Sequence, residues 1–184
     1  MGSVFGKIGV ETPPYTTLFT APTYEVREFP RLLAIEANDD GSQNRAFGRL
    51  AGYIGVMGAA QNEAGQSIAM TAPVVNTQSK RMQFILPANM QSAPPPLTDG
   101  VKVVERPSSQ WAVATWNGGW SESDAAKRRA ELVAAATADG VVVDESDWEV
   151  HRFNPPWTLP RFRTNAVAVK VLSLPESDAA ATTR

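Results

Sequence analysis

The feature that most constrains this chain is an internal repetition of element order. Turn-punctuated β-rich segments and two helical segments run strand, strand, helix, strand, strand, and then do so again. Val26-Arg27-Glu28-Phe29-Pro30 is echoed by Val104-Glu105-Arg106-Pro107, and Ala34-Ile35-Glu36-Ala37 by Ala112-Val113-Ala114-Thr115. The helix starts at Ser42 and Ser121 keep nearly the same offset. A duplicated unit of this kind folds into a pseudo-symmetric antiparallel sheet or barrel carrying two helices, with a cleft at the joint. The expected class is therefore α+β: an antiparallel sheet or β-barrel from a duplicated β-β-α-β-β unit, flanked by two helices.

In the first unit, Tyr24, Val26, Leu33 and Ile35 supply a hairpin around the turn at Pro30-Arg31. Gln43 to about Met57 reads as a helix, with Phe47, Leu50, Ala51, Ile54 and Gly58 on one stripe. Gly48, Gly52 and Gly55 weaken it and leave flat places against which something large could lie. Ser67–Asn76 and Arg81–Leu86 read as strands, and Gln91–Gly100, with its three consecutive prolines, as a hinge. In the second unit a hairpin spans Val101–Asn117. Ser121-Glu122-Ser123-Asp124 opens a helix that runs to about Ala138, with Ala126, Ala130, Val133 and Thr137 on one face and Asp139-Gly140 as its stop. Trp148–Phe153 and Asn165–Leu172 are the last strands. Residues before about Thr20 read as a lead-in. One domain covers 1–174, and 175–184 is an expected unstructured tail.

Composition matters mainly for what it removes. The formal net charge is −2, without the basic excess a polyanion partner requires. No apolar run approaches a membrane span. The N-terminus lacks the pattern of a secretory signal, and Gly6 stands where a myristoylation signal wants Ser or Thr, so a cytoplasmic location is expected. Without cysteine the chain forms no disulfide, thiolate metal site or thiol nucleophile. With a single histidine, His151, a bis-His haem requires two chains. No nucleophile elbow, zinc-protease helix, P-loop or dinucleotide fingerprint occurs. The carboxylates Glu28, Glu36 and Glu105 sit in hairpins, where a solvated face or a cross-strand ion pair is the expected role. His151 lies on the face of Glu149 and Phe153, opposite Val150 and Arg152. It is either a half-exposed strand residue or a ligand to haem iron.

Two segments carry more information: Ile68-Ala69-Met70-Thr71-Ala72-Pro73-Val74-Val75 and the rigid loop Asn154-Pro155-Pro156-Trp157-Thr158-Leu159-Pro160-Arg161-Phe162-Arg163-Thr164-Asn165. Arg161 and Arg163 flank Phe162, which suits a flat amphiphile with carboxylates at its edge. The alternative is that Trp157 and Phe162 merely cap a barrel end. With Val4-Phe5-Gly6-Lys7-Ile8, Tyr24-Glu25-Val26-Arg27-Glu28, Tyr53-Ile54-Gly55 and Phe84-Ile85-Leu86-Pro87, these segments make the chain resemble the SOUL/haem-binding protein family over about residues 1–172, most closely its plant and algal cytosolic branch.

The resemblance implies the barrel form of that class, a distorted antiparallel β-barrel from a duplicated β-β-α-β-β unit. It also implies binding of haem b or another porphyrin, with a tetrapyrrole as ligand and haem-metabolism enzymes as partners, and no nucleic acid or membrane. It places the macrocycle on the apolar side of the first helix, at Phe47, Leu50, Ala51 and Ile54. The second part of the implied site is the loop between the last two strands, at Trp157, Leu159, Arg161, Phe162 and Arg163. Some members of the family bind haem without a dedicated axial ligand. The first half of this chain has no histidine, which leaves His151 or none as the iron ligand. The protein would then be a monomer or a haem-linked homodimer. The expected role is an intracellular carrier, buffer or scavenger of tetrapyrroles. A haem-degrading or iron-releasing enzyme and a protein-interaction module with incidental porphyrin binding are the alternatives.

Overall fold

The computed structural model describes residues 10–39, 41–155 and 158–175. In chain order the strands are β1 (Thr16–Thr20), β2 (Glu25–Phe29), β3 (Leu32–Asn38), β4 (Val74–Thr77), β5 (Arg81–Ile85), β6 (Val101–Arg106), β7 (Ser109–Asn117), β8 (Val142–Arg152) and β9 (Thr164–Ser173). The helices are α1 (Gln43–Ile54), after β3, and α2 (Glu122–Ala138), after β7. The duplicated order is therefore present as β2-β3-α1-β4-β5 and β6-β7-α2-β8-β9, with β1 added in front. Among the described residues no helix is long and apolar enough to cross a membrane.

The nine strands form one antiparallel sheet in the order β1-β2-β7-β9-β8-β4-β5-β3-β6. The ladder is open, with β1 and β6 at its two edges. Leaving β1 aside, this order is a palindrome in terms of the two units. Each unit keeps its last three strands together, as β3-β5-β4 and β7-β9-β8, and the units join through β4 and β8. Each first strand is handed to the other unit: β2 pairs with β7, and β6 with β3. The exchange ties the halves together at three places, so neither unit completes its sheet alone.

The helices start where the sequence places them. Ser42 caps α1 by accepting from the Arg45 amide at 3.4 Å, and Ser121 caps α2 by accepting from the Asp124 amide at 3.1 Å. Helix α1 stops at Ile54, a turn short of the expected Met57, because Gly55 turns left-handed at φ 81°. The buried face of α2 is Ala125, Leu132 and Ala136 rather than the expected Ala126, Ala130, Val133 and Thr137, of which Val133 is half-buried and the rest exposed. An alanine-rich helix gives little apolar contrast from which to choose a face. Of the expected strand over Ser67–Asn76 only the end at Val74 pairs in the sheet. Strand β8 begins six residues before Trp148, and an irregularity between Asp144 and Trp148 breaks the alternation that would have revealed it. The expected lead-in contains strand β1, which is nearly all exposed and so lacks the apolar alternation of a half-buried strand. Residues 176–184 of the expected tail lie outside the described residues.

Both helices pack on one face of the sheet. Under α1 the core holds Ile35, Leu50, Tyr53, Ile54, Met82 and Phe84. Under α2 it holds Val26, Ala112, Leu132, Val150, Val167 and Val169. Among the described residues the opposite face carries no helix. It curls over smaller clusters, Trp111-Val113-Ala166-Ala168 and Leu32-Val75-Ile85, and Phe29 packs against both. The curl follows from one distance. Strands β8 and β6 are four steps apart in the sheet, about 19 Å if it were flat. That is farther than an Arg and a Glu side chain together reach, yet Arg106 Nη2 of β6 lies 2.8 Å from Glu149 Oε1 of β8. The helix-free face is thus a trough with its rims drawn together.

Candidate functional site

The helix stripe and the loop implied as the porphyrin site fare differently. Leu50 and Ala51 are fully buried and Ile54 is 1% exposed, all within the core between α1 and the sheet. These three residues therefore offer no surface to a ligand. The periodic stripe is the core face of the helix, and the sheet already covers it. Phe47 is half-buried at the margin of that core, its ring edge-on to Phe84 with centroids 5.2 Å apart. Of the three helix glycines, only Gly48 faces open space. Gly52 lies against Gln61, and a Cβ at Gly55 would meet Ala60 at 3.1 Å.

The loop between β8 and β9 is pinned at its base and exposed at its tip. The Thr164 amide donates to Asn154 Oδ1 at 2.6 Å, Arg163 Nε donates to the Thr158 carbonyl at 2.7 Å, and the Gly118 amide donates to the Arg163 carbonyl at 2.8 Å. Proline at the start of a single 3₁₀ turn, Pro160–Phe162, holds the tip. There Leu159 and Phe162 are 57% and 59% exposed, and the Arg161 guanidinium sits 4.7 Å from the centre of the Phe162 ring. Trp157 lies outside the described residues. The root of the loop approaches the start of α1: Arg152, the last residue of β8, donates to Gln43 Oε1 at 3.1 Å and stacks 5.5 Å from the Trp120 ring. Burial pushes the Arg152 guanidinium below its usual range, Asp39 nearby opposes that, and Arg163 adds to it.

His151 is on the face of Glu149 and Phe153, as alternation requires, but that face is the trough, away from both helices. It is 5% exposed rather than half-exposed, and its ring stands edge-on to Phe153. Glu149 is 3% exposed and bound to Arg106 Nη2 through both oxygens, at 2.8 and 3.0 Å. Burial alone would raise its carboxyl, but the Arg106 charge and the His151 hydrogen bond overcome it and hold the carboxyl at about 2. Glu149 is therefore an anion that only accepts, and His151 Nε2 donates to its Oε1 at 2.7 Å. That nitrogen is committed, so an iron ligand would have to be Nδ1, the nitrogen crowded by its own Cβ. Among the described residues no three His, Asp or Glu side chains are grouped to hold a metal ion.

The same face carries a polar chain that sequence reasoning missed. Arg106 Nη1 donates to Gln83 Oε1, Gln83 Nε2 donates to Glu36 Oε2 at 2.7 Å, and Arg81 Nη1 donates to Glu36 Oε1 at 2.6 Å. Glu36 is thus a buried cross-strand partner, while Glu105 makes the exposed pair with Arg31 at 2.6 Å. The alternation of Glu149, His151 and Phe153 was the available signal, but it does not reveal what lies opposite.

The chain is thus an open antiparallel α+β sheet of two exchanged units, with helices on one face and a polar-and-aromatic trough on the other. The family model described as SOUL heme-binding protein matches residues 10–170, and the chain belongs to that family. Haem or tetrapyrrole binding is thereby supported at the level of the family. No curated protein matches the chain. Among solved structures, a hydrolase from Listeria innocua is similar at TM-score 0.52 and 14% identity, covering 82% of this chain and 93% of its own. An uncharacterized conserved protein from Listeria innocua is similar at TM-score 0.53 and 13% identity, covering 82% and 94%. The EcmrR C-terminal domain is similar at TM-score 0.53 and 12% identity, covering 82% and 99%. At these identities the likeness is one of fold.

Proposed function

We propose that the protein is a reversible carrier or buffer of haem b and related porphyrins in the cytoplasm, holding the macrocycle on the tip of the β8–β9 loop and the neighbouring flank of α1. The observation that carries this reading is the pair of exposed apolar side chains, Leu159 and Phe162, set among Arg161 and Arg163. Apolar surface takes the porphyrin face, and guanidinium groups take its propionates through charge-assisted hydrogen bonds. Phe47 and the open backbone at Gly48 supply the helix side of the same site. Leu50, Ala51 and Ile54 support it only from within the core. Iron takes no protein ligand in this reading, because His151 lines the trough, on the sheet face away from α1. Micromolar affinity, about −8 kcal/mol, requires no iron–protein bond when apolar contact and two cations contribute.

The test is a titration of hemin and of metal-free protoporphyrin, read in the Soret band. The two are expected to bind within about tenfold of each other, a gap of ~1.4 kcal/mol. Phe162→Asp and the double change Arg161→Ala/Arg163→Ala should each weaken both ligands by about tenfold or more. A large preference for iron, or full affinity in both variants, overturns this site. Protein-dependent bilin formation when the hemin complex meets a reductant overturns the carrier role in favour of an enzyme.

A further inference from the structure

The loop reading leaves the trough unused, although its chemistry is more specific. Three observations meet there. The recess holds about 40 Å³ of open space, walled by the rings of Tyr15, Phe29, Trp111 and Phe153. Its charged groups are already paired: Glu149 with Arg106, and Arg27 with Glu25 at 2.9 Å. His151, 5% exposed, lines the recess, and its Nδ1 has no hydrogen-bond partner among the described residues.

The tautomer follows from the partner. An ionised carboxylate cannot donate, so in the neutral ring the proton sits on Nε2 and Nδ1 is an acceptor. Nδ1 is not among the buried atoms left without a partner, so it is open to the recess and a ligand with an O–H or N–H donor can reach it. A cation gains little here, because the anionic charge of Glu149 is matched by Arg106 and a second guanidinium, Arg27, also lines the recess.

We propose that the trough is a second ligand site, separate from the loop, which takes a small planar uncharged aromatic molecule whose single O–H or N–H is accepted by His151 Nδ1. The ring lies against Trp111 and Phe29, which line the recess. A cavity of roughly 150 Å³ suffices for benzene, more than the recess alone offers, so only the edge of a ring enters it and the rest lies in the mouth. That mouth is formed by Thr12, Pro13 and Tyr15, ahead of β1. Their segment is tied to the body by the Ala72 amide, which donates to the Glu11 carbonyl at 2.8 Å, and by Arg27 stacked 4.5 Å from the Tyr15 ring.

The single histidine makes the test clean, because a ¹⁵N-labelled sample of the full chain shows one imidazole. Phenol should produce a saturable shift of the Nδ1 resonance while Nε2, held by Glu149, changes little. Benzene, which differs only by the hydroxyl, and benzylammonium should bind at least about tenfold more weakly by ligand-observed NMR. In His151→Phe the phenol preference over benzene should vanish, and the wild-type comparison stands if that variant fails to fold. Absence of a saturable Nδ1 shift, or equal affinity for benzene and phenol, overturns the proposal. Stoichiometric displacement of phenol by hemin also overturns it, by making the trough the porphyrin site. Failure of the loop to bind porphyrin leaves the phenol result unaffected.

Discussion

At Glu149, burial and charge pairing act in opposite directions, and pairing wins. Its carboxyl is held at about 2, against an ordinary 4.5. The folded state therefore binds fewer protons than the unfolded chain between those values. The stability this group contributes is fully present above pH 4.5 and is lost as pH falls toward 2. Glu149→Gln leaves Arg106 without its counter-charge and should cost about 3 kcal/mol at neutral pH. The denaturant midpoint measures that cost, and its decline between pH 5 and 2 should be shallower in the variant than in the parent. Unchanged midpoints across that range would show that the pair contributes nothing net. Exposed residues carry different expectations. Phe162→Asp, at a side chain 59% exposed, should leave stability within about 0.5 kcal/mol while porphyrin affinity falls.

At the scale of the element, α1 separates packing from binding. Its periodic stripe is the face turned into the core. Ile54→Asp, at a residue 1% exposed, should therefore cost about 4 kcal/mol or more, seen as loss of cooperative unfolding in circular dichroism. A porphyrin titration of that variant would report folding rather than the site. The end of the helix is set by Gly55 at φ 81°, where an alanine Cβ is strained and also meets Ala60 at 3.1 Å. Gly55→Ala should cost about 1 kcal/mol or more. An equally stable variant in chemical denaturation would show that the helix end relaxes freely. The β8–β9 loop has its order from the hydrogen bonds at its base, made by Asn154, Arg163 and Gly118. Its apolar tip, Leu159 and Phe162, is exposed among the described residues.

For the molecule as a whole, the exchanged first strands and the Arg106–Glu149 contact close the trough. The contact spans four strand positions and draws β6 toward β8. A buried ion pair is often no better than a well-packed apolar pair of similar volume, whereas half of one is much worse. Arg106→Met and Glu149→Leu should each destabilise by about 3 kcal/mol, and the double variant should be more stable than either single one. A double-mutant cycle in urea measures this. Strict additivity of the two losses would show that the side chains do not act together across the trough.

Local rules in the sequence determined the element order from β2 onward, the duplication, both helix starts and the face on which each residue of Glu149–Phe153 lies. Periodicity, capping residues and strand alternation act over a few positions and are written into consecutive residues. The family resemblance in Ile68–Val75 and Asn154–Asn165 was equally legible, and with it tetrapyrrole binding as a family property. The tertiary structure alone decided that β2 and β6 change places, that the α1 stripe is covered by the sheet, and that His151 faces Glu149 in a trough rather than an open surface. Those outcomes depend on which strands become neighbours and in what register. A hydrophobic stripe shows that something covers it, but a second protein layer and a bound macrocycle leave the same pattern. Only the packing of β3 and β5 beneath α1, and the reach of Arg106 across the curled sheet, distinguish the two.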